Sequence, residues 1–330
     1  MNAPHDKAVI THPAFIYTVV KKLRSMGAEV FAGDSPAVEN QEQAAKKSGM
    51  AEAVESAGGR WIYFREQKEI NFPEGKLIKK FLLAKELEKI DLIVSLPKLK
   101  THAQMYYTGA MKNLFGLVPG LHKAKWHFRF QERSDFARMI VDLNLLLKPY
   151  LSLMDAVICH EGEGPSGGSP RRAGLILGSY NVCALDCIAA GLIGYEPLKI
   201  PVLQHAVSSG FWINALPEIK IAGIPAEEAI IKNFKLIKIP ENIGFMSHLL
   251  PPVLYRLIAD FIVPKPVFNP GPCIMCRKCI DICPAGALSE QQKNLKKCIK
   301  INNDACIKCY CCHEVCPVKA IDIKKRIFKK

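Results

Sequence analysis

The cysteines constrain this chain more than any other feature. The run Cys273-x2-Cys276-x2-Cys279-x3-Cys283-Pro284 recurs 33 residues later as Cys306-x2-Cys309-x2-Cys312-x3-Cys316-Pro317. This spacing ligates [4Fe-4S] clusters: three thiolates of a run hold one cluster and the fourth crosses to the other. Two clusters are expected, one on Cys273, Cys276, Cys279 and Cys316, the other on Cys306, Cys309, Cys312 and Cys283. The x2 loops let three thiolates and several backbone N–H groups wrap one cluster, and the proline ends the helical turn after the crossing ligand. Zinc is the competing use of eight thiolates, but paired C-x2-C ribbons do not space cysteines in triplets.

Most of the 13 cysteines crowd into this region, in metal-ligand spacing and not a disulfide framework, which implies a reducing compartment. Cys298 and Cys311 lie off the pattern and read as free thiols. Cys159, Cys183 and Cys187 lie outside it; Cys183 and Cys187 sit near a helix start that would activate them if exposed, but buried small hydrophobes are the favoured reading. No export signal opens the sequence, so a cytoplasmic location is expected. The stretch His248 to Val263 is interrupted by Pro251, Pro252, Arg256 and Asp260 and is too short to span a bilayer; it reads as an amphipathic helix or linker. The net charge of +14 comes from dispersed lysines without interleaved aromatics, which argues against nucleic acid and for steering an acidic redox partner or an anionic substrate. The terminal Lys324, Lys325, Arg326, Lys329 and Lys330 read as solvated charge.

With 330 residues, two domains are expected: an α/β domain over 1–263, with a mostly parallel sheet and flanking helices, and a small C-terminal α+β two-cluster ferredoxin-like domain over 264–330. The Pro-rich stretch from Pro264 to Pro272 marks the boundary. Pro13 to Met26 predicts a helix closed by Gly27, and a strand from Glu29 to Ala32 delivers Gly33-Asp34-Ser35-Pro36 at its C-terminal end. One helix is expected from about Asn40 to Ala57. Strands are expected at Asp91–Leu96, Leu153–Cys159 and Gly174–Gly178, then a helix from Val182 to Ile193 capped by Asn181 and ended by Gly194.

Lys98, Lys100, His102 and Lys112 crowd together after the strand at Asp91–Leu96, with Tyr106, Tyr107, Gly109, Asn113 and Gly116 close by. They predict an anion-receptive, titratable crevice. Asp155 on a strand and Glu161-Gly162-Glu163-Gly164-Pro165-Ser166-Gly167-Gly168 form a second constellation. Its carboxylates suit acid–base or metal chemistry, and its glycines suit close approach of backbone to a ligand.

These residues carry a resemblance to the proteins containing the domain of unknown function 362, often fused to a two-cluster ferredoxin. The shared motifs are Thr11-His12-Pro13, Gly33-Asp34-Ser35-Pro36, Leu96-Pro97-Lys98-Leu99-Lys100-Thr101-His102, Lys112-Asn113-Leu114-Phe115-Gly116, Asp155, Glu161-Gly162-Glu163-Gly164-Pro165 and Ala184-Leu185-Asp186. Family members usually carry a strand ending in Lys-Pro-Asn ahead of the first helix. This chain starts almost at that helix, which implies a misplaced start or a missing edge of the site. More distantly, His102-x9-Lys112 with Gly109, Pro119-Gly120 and Asp34-Ser35-Pro36 resembles the cofactor domain of lactate racemase. That resemblance implies a further cofactor, a nickel pincer nucleotide on Lys112, with His102 and His122 or His127 as acid and base.

The expectation is an iron–sulfur oxidoreductase of anaerobic or microaerobic habit. A soluble ferredoxin or partner redox subunit would exchange single electrons with an anionic small molecule. His102, Lys112, Asp34 and Glu161 are the expected catalytic residues, and Lys98, Lys100, Asn113 and Asp155 the expected binding residues. The alternative is a non-catalytic carrier or assembly subunit that docks a partner enzyme.

Overall fold

The computed structural model describes residues 5–36, 40–120, 122–239, 264–293 and 296–324. They divide into two compact units: Met1–Trp126 with Glu132–Ile237, and His127–Gln131 with Lys238–Lys330. The amphipathic stretch expected over His248–Val263 and the basic tail from Lys325 lie outside the described residues.

In the first unit, α1 (Pro13–Ser25) forms because Pro13 suits the first turn and His12 Nδ1 accepts the Ala14 N–H at 3.2 Å. Its apolar face packs Ile16 and Val20 against Val54, with Val30, Ala32 and Leu96 around them. β1 (Phe31–Ala32) follows. The single helix expected over 40–57 is instead two, α2 (Gln41–Ser48) and α3 (Met50–Ser56), because Gly49 takes a left-handed φ of 72° that ends the first. β2 (Arg60–Trp61) runs parallel to β1, and β3 (Gln67–Asn71) pairs antiparallel with β4 (Lys80–Ala84).

The larger sheet uses β5 (Val94–Ser95), β6 (Lys98–His102), β7 (Tyr106–Thr108), β8 (Leu151–Glu161) and β9 (Ser169–Ser179). β5 and β6 both run parallel to β8, pairing Val94 with Leu151 and Lys98 with Asp155. The chain is thus α/β with parallel pairing at the centre of its main sheet. Antiparallel hairpins flank it: β7 pairs with β6, and β9 returns along the other edge of β8. The strand expected at Gly174–Gly178 is longer than that and antiparallel, since the seven residues after Glu161 are too few for the crossover a parallel return needs.

Helices α4 (Ala110–Asn113), α5 (His122–Arg129) and α6 (Arg133–Leu147) intervene between β7 and β8. Buried Asp142 of α6 accepts the N–H groups of Lys76, Leu77 and Ile78 at 2.7–3.0 Å, anchoring the turn ahead of β4. After β9, α7 (Val182–Leu192) starts where Asn181 Oδ1 accepts the Ala184 N–H, and Gly194 turns the chain with φ 98°. α8 (Pro201–Ser208) follows.

The Pro-rich stretch is more ordered than a linker: β10 (Lys265–Phe268) lies in it and later pairs antiparallel with β13 (Ile321–Lys324). Between them come α9 (Lys278–Asp281), the hairpin β11 (Leu288–Lys293) and β12 (Lys296–Ile301), and α10 (Cys311–Val315). Leu288, Ile299 and Ile321 form a small core that includes Cys279 and Cys312. Among the described residues, no helix is long and apolar enough to cross a membrane.

Candidate functional site

The basic stretch after Pro97 is not a loop. Lys98–His102 is strand β6, buried except for partly exposed Lys100. A buried strand cannot carry an unmatched ammonium, and Lys98 Nζ is met by Asp155 Oδ2 at 2.5 Å and the Ile158 carbonyl at 3.0 Å. The Asp155 carboxylate also accepts the His12 N–H at 2.9 Å and the Val157 N–H at 3.1 Å. Lys98 and Asp155 were predicted to bind substrate; here they neutralise each other and tie the start of α1 to the sheet. Lys100 reaches the other way, donating to the Val9 carbonyl at 2.7 Å.

His102 and Lys112 do come together. His102, only 1% exposed, ends β6, and its Nδ1 accepts the N–H groups of Gln104 at 3.2 Å and Met105 at 3.4 Å. That network assigns the ring proton to Nε2. Nε2 lies 2.5 Å from Lys112 Nζ.

Lys112 stands on the short helix α4, whose start is held by Asp186 of α7. Asp186 accepts the Ala110 N–H at 2.7 Å, the Met111 N–H at 2.9 Å and the Tyr107 hydroxyl at 2.9 Å. Burial pushes its carboxyl up to about 6, against the pull of those three donors, and burial also drives the Tyr107 phenol well above its ordinary value. Gly109 is required here, since a Cβ would collide with the Tyr107 hydroxyl and Asp186. Asp186 is the one charged residue in the apolar helix Val182–Leu192, the signal by which its buried role could have been found. Tyr107 offers no comparable signal.

The end of β5 meets α4, and the loop after β1 meets the turn that follows α4. Asn113 Nδ2 donates to Ser95 Oγ at 3.0 Å, and the Ser35 N–H donates to the Gly116 carbonyl at 3.3 Å. Asp34 is exposed, and a Cβ on Gly116 would come 2.5 Å from its Oδ1. The Ser35 hydroxyl accepts the Gly120 N–H, and Lys123 donates to the Ser35 carbonyl.

The glycine-rich loop after β8 serves internal packing. Glu161 is buried and accepts the Lys235 N–H at 3.1 Å, with Lys235 Nζ 3.6 Å away. Gly164 lies against the Thr101 carbonyl and Gly168 against the Glu161 carbonyl, leaving no room for a Cβ at either. These two glycines let the loop approach the protein's own backbone. His122 opens α5, its imidazole shifted down by burial and by nearby Lys125. Buried His127 falls in the other unit. Cys183 and Cys187 are buried; the Cys187 hydrogen bond and then burial raise the Cys183 thiol, and burial lifts Cys159 to about 12, as expected of buried small hydrophobes.

In the second unit the two cysteine runs share left-handed residues at matching positions. Left-handed φ values recur at Met275 and Lys308, Arg277 and Tyr310, and Gly286 and Lys319, each pair 33 residues apart. Five of these six residues carry a Cβ and bear strain that ordinary turns avoid. Cys273, Cys276, Cys279 and Cys316 line one cavity, with Phe268, Ile299 and Ile321 as its apolar wall. Cys283 faces Cys306 and Cys312. The fourth cysteines of the two runs are held alike: Cys283 Sγ accepts the Ala287 N–H at 3.2 Å and Cys316 Sγ the Ala320 N–H at 3.1 Å. Among the described residues no three His, Cys, Asp or Glu side chains converge as they would on a single ion. The four cysteines lining one cavity, three of them at x2 spacing, are a donor set that fits a four-iron cluster.

Comparison with known proteins agrees with both units. The model of the domain of unknown function DUF362 matches residues 1–191, and that of a 4Fe-4S dicluster domain matches residues 266–320. The thylakoid-associated protein sll1697 of Synechocystis sp. is 31% identical over 255 residues, which cover 77% of this chain and 78% of that protein. No solved structure gives a significant match. The C-terminal unit is an iron–sulfur electron-carrier domain, and the chain belongs to the DUF362 family.

Proposed function

We propose that this protein is an iron–sulfur oxidoreductase that passes single electrons between a soluble ferredoxin or partner subunit and an anionic small molecule bound beside His102 and Lys112. The observation that carries the reading is the 2.5 Å approach of Lys112 Nζ to His102 Nε2, where the end of β5 meets α4. A buried imidazole against an amine is a costly arrangement for structure alone, and close titratable pairs in a crevice are candidates for reactive sites.

Two [4Fe-4S] clusters, with the crossed ligand sets given above, supply one-electron transfer when bound. His102 presents its Nε2 proton to the substrate. Asn113 and Asp34 border the site, and Asp186 positions Lys112 through α4. Lys100 and the excess of 45 basic over 31 acidic residues favour a negatively charged ligand. Lys98, Asp155 and Glu161 hold the scaffold.

The test is reduction of candidate acceptors by the dithionite-reduced protein. His102→Ala and Lys112→Ala are expected to abolish turnover with iron content unchanged. Unchanged turnover, together with lost binding of a redox partner that weakens steeply with salt, would favour a docking subunit instead.

A further inference from the structure

We infer that Lys112 is an uncharged amine in the resting protein and that the anionic substrate is a 2-oxo acid, whose carbonyl carbon Lys112 captures as an imine. The inference rests on the catalytic reading of this site and deepens it by naming the substrate class.

The argument is one of donors and acceptors. Two backbone N–H groups point at His102 Nδ1. A proton on Nδ1 would face both, so Nδ1 keeps its lone pair and a neutral ring carries its proton on Nε2. An ammonium has three N–H groups and no lone pair, and cannot accept from Nε2. A close contact at 2.5 Å between two donors would be repulsive; between Nε2–H and an amine lone pair it is a hydrogen bond. Surroundings work in the same direction. The imidazole that meets Lys112 is 1% exposed, and contact with a group held out of water makes a lysine more easily kept neutral. The lone pair is thereby masked until a substrate displaces Nε2.

A neutral, partly exposed lysine beside a donor is an activated nucleophile for carbonyl carbon. Nζ attacks the carbonyl carbon, the N–C bond forms, and the C=O π pair moves to oxygen, which meets His102 Nε2–H. The carbinolamine then loses its oxygen with the two former amine protons as water, leaving the imine. No oxidant or reductant is consumed in this step.

The test uses the full-length protein with its clusters, treated at neutral pH with glyoxylate or acetaldehyde and then borohydride, followed by peptide mass analysis. Lys112 is expected to gain the reduced adduct at least roughly tenfold faster than exposed lysines, the factor for one pH unit in the fraction of free amine. His102→Ala is expected to remove that advantage, and Lys112→Arg to leave its peptide unmodified with iron content intact. Glyoxylate is expected to label Lys112 faster than acetaldehyde does; preference for acetaldehyde overturns the 2-oxo acid as substrate class. Labelling of Lys112 no faster than exposed lysines overturns it, as does full labelling in His102→Ala. A covalent group on Lys112 before treatment also overturns it, since the amine is then not free. Trapping draws no electrons from the clusters, so its failure leaves the electron-transfer reading standing, whereas absence of iron would strike that reading alone.

Discussion

The two units treat their reactive side chains in opposite ways. In the α/β unit nearly every buried charge is answered by the protein itself: Lys98 by Asp155, Asp142 by three backbone amides, Asp186 by two amides and a phenol, Glu161 by Lys235. In the iron–sulfur unit cysteines share the small core with Leu288, Ile299 and Ile321, and four of them face a shared cavity. A fold whose polar groups satisfy one another can stand alone, and its one exceptional pair, His102 with Lys112, is noticeable against that background. A fold whose core includes ligand sulfur depends on what the sulfur binds.

The comparison can be broken first at its largest effect. Removing a crossing ligand by Cys316→Ala should cost the cluster held by the first cysteine run, although Cys316 belongs to the second. Iron should fall from about eight to about four per chain, and paramagnetic resonance of the reduced protein should lose the coupling between clusters. Loss of the second-run cluster would show that the ligands do not cross.

Next, Asp155→Ala leaves Lys98 charged, buried and unmatched, and should destabilise the α/β unit by about 3–5 kcal/mol. Denaturant unfolding followed by tryptophan fluorescence checks this, with iron content expected to stay constant. Replacing both partners together, Lys98→Met with Asp155→Leu, should restore most of the loss; if it does not, the pair does more than hold the scaffold.

Asp186 gives a smaller, pH-dependent effect. Its pKa is raised from 3.8 to about 6, so the folded state binds the proton more tightly than the unfolded chain. Its contribution to stability is full below the ordinary carboxylate value and is lost as pH rises through about 6. Asp186→Asn removes this titration, and its stability should vary less than the wild type's across that interval. Equal slopes would mean that the carboxyl titrates normally.

The smallest effect is expected at Cys298, which lies in β12 away from both ligand sets. Cys298→Ser should leave iron content and cluster signals unchanged, with stability within about 0.5 kcal/mol. A fall in iron would enlarge the ligand set.

Legibility in the sequence followed the range of the interactions. The cysteine runs could be read directly because a cluster's ligands are set by local spacing, and α1 and α7 could be read because Pro13, His12 and Asn181 act within one turn. The break at Gly49 was missed because Asn40–Ala57 is helical on either side of it. Lys98-Leu99-Lys100-Thr101-His102 looked like a basic crevice because its charges are visible in the sequence, while the carboxylate that cancels one of them lies 57 residues away.

The sequence by itself determined the iron–sulfur unit, the α/β alternation and the nearness of His102 to Lys112 in the chain. Local spacing and hydrophobic period suffice for each. Only the tertiary structure decided that Lys98 and Asp155 cancel, that Glu161 is buried, that Asp186 holds the helix under Lys112, and that Lys112 Nζ meets His102 Nε2. Each of those depends on which donor meets which acceptor across strands and helices distant in sequence, and burial makes that matching obligatory without revealing it in the order of residues.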